Sequence, residues 1–352
     1  MIKSFLVAVV ASVLVAVAGA ALWGWQGMKT LEMEADLQEP MLYMVPRGTS
    51  YNAVARDLEE KGLVEEAIWL KLLARVEPEM TSIRAGEYEF QPGMTPREMI
   101  ALMVRGQTKV RTVQFIDGTK FRDARQALAL AEHLEQVTAD WPAERIMAEL
   151  GDEDAHPEGR FFPDTYSYNR GNSDLEILRR AYEKMNNVLA EEWAGRADDL
   201  PYENPYEALI MASIIERETG VPEERPDIAG VFVRRLERGM RLQTDPTVIY
   251  GMGDAYEGRI TRRDLRTHTP YNTYRISGLP PTPIALPGRA AIHAAVHPAD
   301  GNTLYFVARG DGSHKFSRTL EDHRRAVREY QLNRREDYRS SPAPASSPEG
   351  TE

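Results

Sequence analysis

Residues 205–220 read PYEALIMASIIERETG. Leu209, Ile210, Met211, Ile214 and Ile215, with small Ala212 and Ser213 between them, predict a helix whose apolar face is wide enough for a domain core. Gly220 followed by Pro222 supplies the stop. Glu216 and Glu218 stand in the last turn. At about 100° per residue they lean to opposite faces, so they cannot address one substrate atom together. Glu218 continues the stripe of Met211, Ile214 and Ile215, and Glu216 that of Leu209, Ala212 and Ser213. A carboxyl that prolongs an apolar stripe is desolvated, and at a helix C-terminus it meets the negative end of the dipole. Both effects disfavour the ionised form and raise the pKa, as a general acid working near neutral pH requires. A surface Glu-Arg-Glu cluster fraying from a core helix fits the same residues.

The chain has 352 residues, no cysteine and a net charge of −11. That length suggests about two domains beyond a targeting segment. Without a sustained basic stripe the acidic chain is not expected to bind nucleic acid, and without cysteine it has no disulfide, thiolate metal site or lipidated thiol. Residues 5–25, FLVAVVASVLVAVAGAALWGW, are apolar or small throughout. About twenty such residues cross a ~30 Å hydrocarbon core as a helix. Lys3 precedes the run and Glu32, Glu34, Asp36 and Glu39 follow it, so the N-terminus is expected in the cytoplasm and the remainder outside. Ala18-Gly19-Ala20 has the form of a signal-peptidase site, but the apolar run continues past it to Trp23 and Trp25, which suits a retained anchor.

The expected class is α+β, with an N-terminal transmembrane helix, a small subdomain and a larger mixed catalytic domain. The expected boundaries are 1–27 for the cytoplasmic N-terminus and anchor, 28–40 for a linker, 41–108 for the subdomain, 109–204 for a helical connecting region, 205–336 for the catalytic domain and 337–352 for a disordered Ser/Pro/Ala tail. In the subdomain Met41 to Val45 and Gly86 to Phe90 predict strands. Thr49 or Ser50 caps one helix, Glu65 to Val76 forms another, and a third runs from Thr95-Pro96 to Arg105-Gly106. This pattern resembles the small LysM-like modules that bind N-acetylated glycans, and a structural spacer fits it too. Glu158 to Tyr166 is an aromatic-rich loop suited to lining a groove. Downstream, Ile228 to Arg238 is amphipathic, Leu304 to Ala308 predicts a strand, and Arg318 to Arg334 a charged helix.

Between Gln243 and Tyr274 the chain is rich in Asn, Gln, Thr, Asp and Tyr, and is expected to be irregular. Aromatic faces stack on the C–H faces of a pyranose while amides and carboxylates take its hydroxyls and acetamides. Gln243, Thr244, Asp245, Tyr271, Asn272 and Tyr274 are the candidate substrate-binding residues. His293 and His297 stand four apart, but HAAVH lacks the glutamate of a H-E-x-x-H zinc helix, so no metal or other cofactor is expected. Ser213 lies in an apolar run without a base and is expected to pack.

MASIIERETG, GVFVRRLERGMRLQTDPTVIYGMG, PYNTYRISGLPPTPIALPG and HPADGNTLYFVARGDGSHKFS, in that order, make the chain similar to the YceG-like family of endolytic murein transglycosylases, over most of its length. The resemblance implies a single-pass inner-membrane enzyme with a periplasmic catalytic domain and a LysM-like subdomain. It would cleave nascent peptidoglycan glycan strands internally at the MurNAc–GlcNAc bond, leave 1,6-anhydro-MurNAc ends, terminate elongation and work beside cell-wall synthases. It also implies Glu218 as the catalytic acid, because the second glutamate of the family's E-K-E-type motif falls there. The family's usual Asn is replaced by Arg234. A transglycosylase can work with one carboxylate because the substrate supplies the nucleophile. Asp245 is the candidate for a second, with which a periplasmic glycosidase that hydrolyses is the alternative. A membrane-anchored, non-catalytic peptidoglycan-binding scaffold is the other.

Overall fold

The computed structural model describes residues 2–333. The expected tail, 337–352, lies outside them, as does the end of the expected catalytic domain. The architecture mixes helices with short strands. In chain order the elements are α1 (Ile2–Thr30), β1 (Met41–Val45), α2 (Tyr51–Glu60), α3 (Ala67–Val76), β2 (Gly86–Phe90), α4 (Pro96–Arg105), β3 (Arg111–Gln114), α5 (Phe121–Ala129), α6 (Ala143–Glu149), β4 (Thr165–Tyr168), α7 (Asp174–Ala194), α8 (Pro205–Glu218), α9 (Arg225–Glu237), α10 (Asp245–Met252), α11 (Arg289–Val296), β5 (Tyr305–Ala308), β6 (His314–Ser317) and α12 (Leu320–Val327). The described residues fall into two compact units, one of residues 2–111 with 167–172, the other of residues 112–166 with 173–333.

In the first unit α1 is long and apolar enough to cross a membrane by length and composition. β1 and β2 pair antiparallel, Met41 opposite Phe90 and Val45 opposite Gly86. The inward residues Tyr43, Val45, Tyr88 and Phe90 meet Leu58, Leu70, Leu73, Met99 and Met103 in one core. Local chemistry sets the helix limits. Ser50 accepts from the Ala53 amide, Thr95 and Glu98 form a reciprocal capping box, and Gly106 ends α4 in the left-handed conformation (φ 68°).

In the second unit α8 is the central element. Every residue from Ala208 to Ile215 is buried, as expected of a helix apolar all round. It packs against α7, α9 and α11, and Leu209, Ile210, Met211, Ile214 and Ile215 share a core with Ile228, Phe232, Ile292 and Val296. Ser213 does more than pack: its hydroxyl donates to the Ile210 carbonyl (2.7 Å) and accepts from the Ile284 amide (3.0 Å), tying the strandless 280s segment to α8. β5 and β6 form an antiparallel hairpin, Tyr305 opposite Ser317 and Ala308 opposite His314.

Two expectations differ from the structure. The stretch after Gln243 is not irregular throughout, because Asp245 and Pro246 open α10; Pro at the first turn costs no hydrogen bond. The charged helix from Arg318 shortens to α12 and passes into a turn of π-helix over Arg328–Leu332.

Candidate active site

Helix α8 ends at Glu218, and Thr219 leaves it in an extended conformation (φ −140°, ψ 138°). The glutamate is thus presented by a helix whose residues from Ala208 to Ile215 are all buried. Half-buried, it lines a cleft of about 940 Å³ in the second unit, together with Arg235, Thr244, Asp245, Tyr274 and Tyr305. Burial pushes its carboxyl from the ordinary 4.5 up to about 7; the Thr244 hydroxyl and Arg235 pull against that shift and Asp245 adds to it.

Thr244 is the immediate partner. It occupies the N-cap of α10, where a threonine normally accepts from an amide of the first turn, yet its side chain makes no cap bond. Its hydroxyl donates instead to Oε1 of Glu218. That oxygen is engaged as an acceptor, so the acid's proton belongs on the other oxygen. Thr244 is fixed in turn by two wholly buried threonines. Its amide donates to the Thr273 hydroxyl (3.0 Å), its carbonyl accepts from the Thr247 hydroxyl (2.8 Å), and the two hydroxyls meet at 2.8 Å. Just before it, Gln243 adopts φ 54°, a left-handed conformation uncommon without glycine, with its amide donating to the Thr273 carbonyl (3.3 Å).

The other candidates divide. Gln243, Asp245 and Tyr274 share the cleft with Glu218, and the Tyr274 hydroxyl donates to Asp245 Oδ1 (2.7 Å). Tyr271 and Asn272 are not brought to its lining. The Tyr271 ring packs edge-on against Tyr250 and its hydroxyl bonds Thr282 (2.9 Å). Asn272, buried, donates to the carbonyls of Asp264 (3.0 Å) and Thr267 (2.6 Å), and so shapes the loop that delivers Thr273. Glu216 also lines the cleft, but its carboxylate is engaged by other partners. Its oxygens accept from Arg225 (3.1 Å) and from the Gly288 amide (2.9 Å). Gly288 cannot carry a side chain there, since a Cβ would stand 2.6 Å from Asp117 Oδ1. Arg234 holds the 299–303 loop, donating to the carbonyls of Ala299 (2.8 Å) and Thr303 (2.9 Å).

Arg235 escaped the sequence reading. It is buried, with Nε donating to the Leu304 carbonyl (2.7 Å) and Nη1 to that of Leu242 (2.6 Å), and its guanidinium lies 5.1 Å from the Tyr305 ring centroid. The signal was available: Arg235 falls three and four residues after the apolar Phe232 and Val231, a charge prolonging an apolar stripe just as Glu218 does. Thr247 and Thr273 left no such trace, because a threonine in TDPT or NTY reads as turn chemistry.

Residues 43–329 match the model of the YceG-like family. The chain is 30% identical over 331 residues to an endolytic murein transglycosylase of Bacillus subtilis, an alignment covering 89% of this chain and 91% of that protein. An endolytic murein transglycosylase of Streptococcus pneumoniae is 25% identical over 334 residues, 85% of this chain but 60% of the longer pneumococcal one. A crystal structure of a yceG-like protein from Listeria monocytogenes superposes with a TM-score of 0.51 at 28% identity, covering 82% of this chain and 99% of that chain.

Proposed function

The chain belongs to the YceG-like family, and from that premise we infer that it is a lytic transglycosylase acting on peptidoglycan, with Glu218 as its acid. The observation that carries this reading is the Glu218–Thr244 pair. A threonine forgoes its helix cap to hold a carboxyl whose pKa burial has raised to about 7, inside a cleft large enough for more than one sugar ring.

Protonated Glu218 gives its proton to the glycosidic oxygen between N-acetylmuramic acid and N-acetylglucosamine. The carboxylate so formed, steadied by the Thr244 hydroxyl and the charge of Arg235, takes the proton of the muramyl 6-hydroxyl as that oxygen attacks C1. The product is a 1,6-anhydro ring, and no water is consumed. Gln243, Asp245 and Tyr274 contact the strand. Residues 205–336 carry the chemistry with 109–204 leading into them, and residues 41–108 act as a LysM-like glycan-binding module. The helix α1 anchors the enzyme in the inner membrane with its N-terminus cytoplasmic, beside the synthases whose nascent strands it cuts and thereby terminates.

A second reading follows from one observation: Asp245 shares the cleft with Glu218 and is held by Tyr274. Were Asp245 to activate water, the enzyme would hydrolyse. Mass spectrometry of products from uncrosslinked glycan strands, with the full chain in detergent micelles, separates the readings. Internal fragments with 1,6-anhydro ends, absent with Glu218→Gln, are expected. Reducing ends lost in Asp245→Asn would mean hydrolysis, and strands bound but uncut would mean a scaffold.

A further inference from the structure

Away from the cleft, α7 and α11 bring together a histidine pair and a carboxylate that the reaction does not use. His293 stands on α11 and His297, four residues on, caps its end, their rings stacked at 4.2 Å between centroids. The glutamate that the HAAVH spacing lacks comes from α7. Glu192 Oε2 lies 2.8 Å from His293 Nδ1, and one ligand atom from each of the three residues falls within 4.8 Å of the others. We propose that Glu192, His293 and His297 form a binding site for a zinc-type divalent transition-metal ion that clamps α7 to α11.

The surroundings fit a coordinating set. His297 Nε2 lies 2.7 Å from the Gly195 carbonyl, which can only accept, so in the neutral ring the proton sits on Nε2, and Nδ1, 3.3 Å from the His293 carbonyl, carries the lone pair offered to a metal. A backbone carbonyl that fixes the tautomer of a ligating imidazole is the usual outer partner of metal-bound histidine. Arg289 Nη1 holds the other oxygen of Glu192, Oε1, at 2.8 Å and its Nη2 holds Glu191 at 2.7 Å. Only Oε2 is then free to coordinate, as a single oxygen. Two imidazoles and one carboxylate leave a fourth position of a tetrahedral ion to water, and zinc accepts these donors at about 2.0–2.2 Å. Ligand atoms of such an ion stand roughly 3.3 Å apart, so small side-chain rotations from the present spacing seat it. The ion displaces the His293–Glu192 hydrogen bond and replaces it with a tie between two helices that both pack on α8.

The test is zinc titration of the full, untagged chain by calorimetry at pH 7.5, with the thermal midpoint measured alongside. One zinc per chain is expected, with a midpoint rise of roughly 5–10 °C at zinc a hundredfold above Kd. His293→Ala and Glu192→Gln should each weaken binding at least tenfold and remove the midpoint rise. X-ray absorption of the zinc-loaded chain should register two imidazole nitrogens among the neighbours. Absence of zinc binding, or binding that both substitutions leave unchanged, overturns the proposal.

Discussion

A carboxyl that must first give a proton and then take one back works best with a pKa near the working pH. On the proposed assignment Glu218 has that property because burial desolvates its carboxyl, and the same burial has a cost that can be measured. Its folded-state pKa of about 7 lies above the ordinary 4.5, so the group favours the folded state fully at acid pH and loses that contribution as pH rises through about 7. Glu158 behaves alike: burial raises it to about 7 although the Phe121 amide (2.9 Å) and the Tyr250 hydroxyl (3.1 Å) donate to it. Each shift corresponds to on the order of 3 kcal/mol once the carboxyl is fully ionised. Glu218→Gln is therefore expected to abolish cleavage and to raise stability at pH 8.5 by about 1–3 kcal/mol, with little change at pH 5; urea unfolding at the two pH values checks it. Glu158→Gln should give the same pH-dependent gain while leaving cleavage in place. For the parent enzyme, kcat should decline as pH passes through about 7, because the acid is then ionised. Thr244→Val removes a donor that favours the carboxylate, so the alkaline limb of its pH profile should move up even as the rate falls.

At the scale of elements, the site rests on how α8, the 241–244 turn and α10 are joined. Gln243 sits in a left-handed conformation that costs an L-residue roughly 1–2 kcal/mol, and more when the side chain is branched at Cβ. Gln243→Val should lower stability by about 1–2 kcal/mol and slow cleavage further by displacing Thr244, whereas Gln243→Asn should be tolerated; denaturant midpoints and initial rates distinguish them. Ser213→Ala leaves the buried Ile284 amide without its acceptor and should cost about 1–3 kcal/mol. These joints mark where legibility ended. Helix α8 and the apolar stripe that Glu218 prolongs follow from residue spacing, and the limits of α4 from Thr95, Glu98 and Gly106, because those signals are local. Arg235 carried the same kind of signal as Glu218. The Thr244–Thr247–Thr273 cluster carried none: it joins residues 26 and 29 positions apart, and nothing local distinguishes a threonine that caps its own helix from one that serves a distant carboxyl. Asn272 and Tyr271 have the composition of a sugar site, yet their polar groups are engaged by neighbouring loops, and an amide whose NH2 is satisfied by backbone carbonyls looks no different in sequence from one that awaits a ligand.

For the whole molecule, the open physical question is what the first thirty residues do. Helix α1 runs unbroken through Ala18-Gly19-Ala20 to Thr30, and the Trp23 ring meets Trp69 of α3 at 4.5 Å between centroids. Gly27 lies so close under the same Trp69 that a Cβ would stand 2.4 Å from its ring. A signal peptide has no use for a fitted contact with the mature protein, because it is cut away before the body folds. An anchor does, since packing its outer end fixes where the body sits above the bilayer. The retained-anchor reading therefore predicts that the purified chain keeps its N-terminal segment, that it stays with membranes after alkaline carbonate extraction, and that Gly27→Leu destabilises the first unit by forcing Trp69 aside. Intact mass decides the first point: a chain beginning near Met1 sustains the anchor, and one beginning at Ala21 makes the segment a leader and the Trp69 contact incidental.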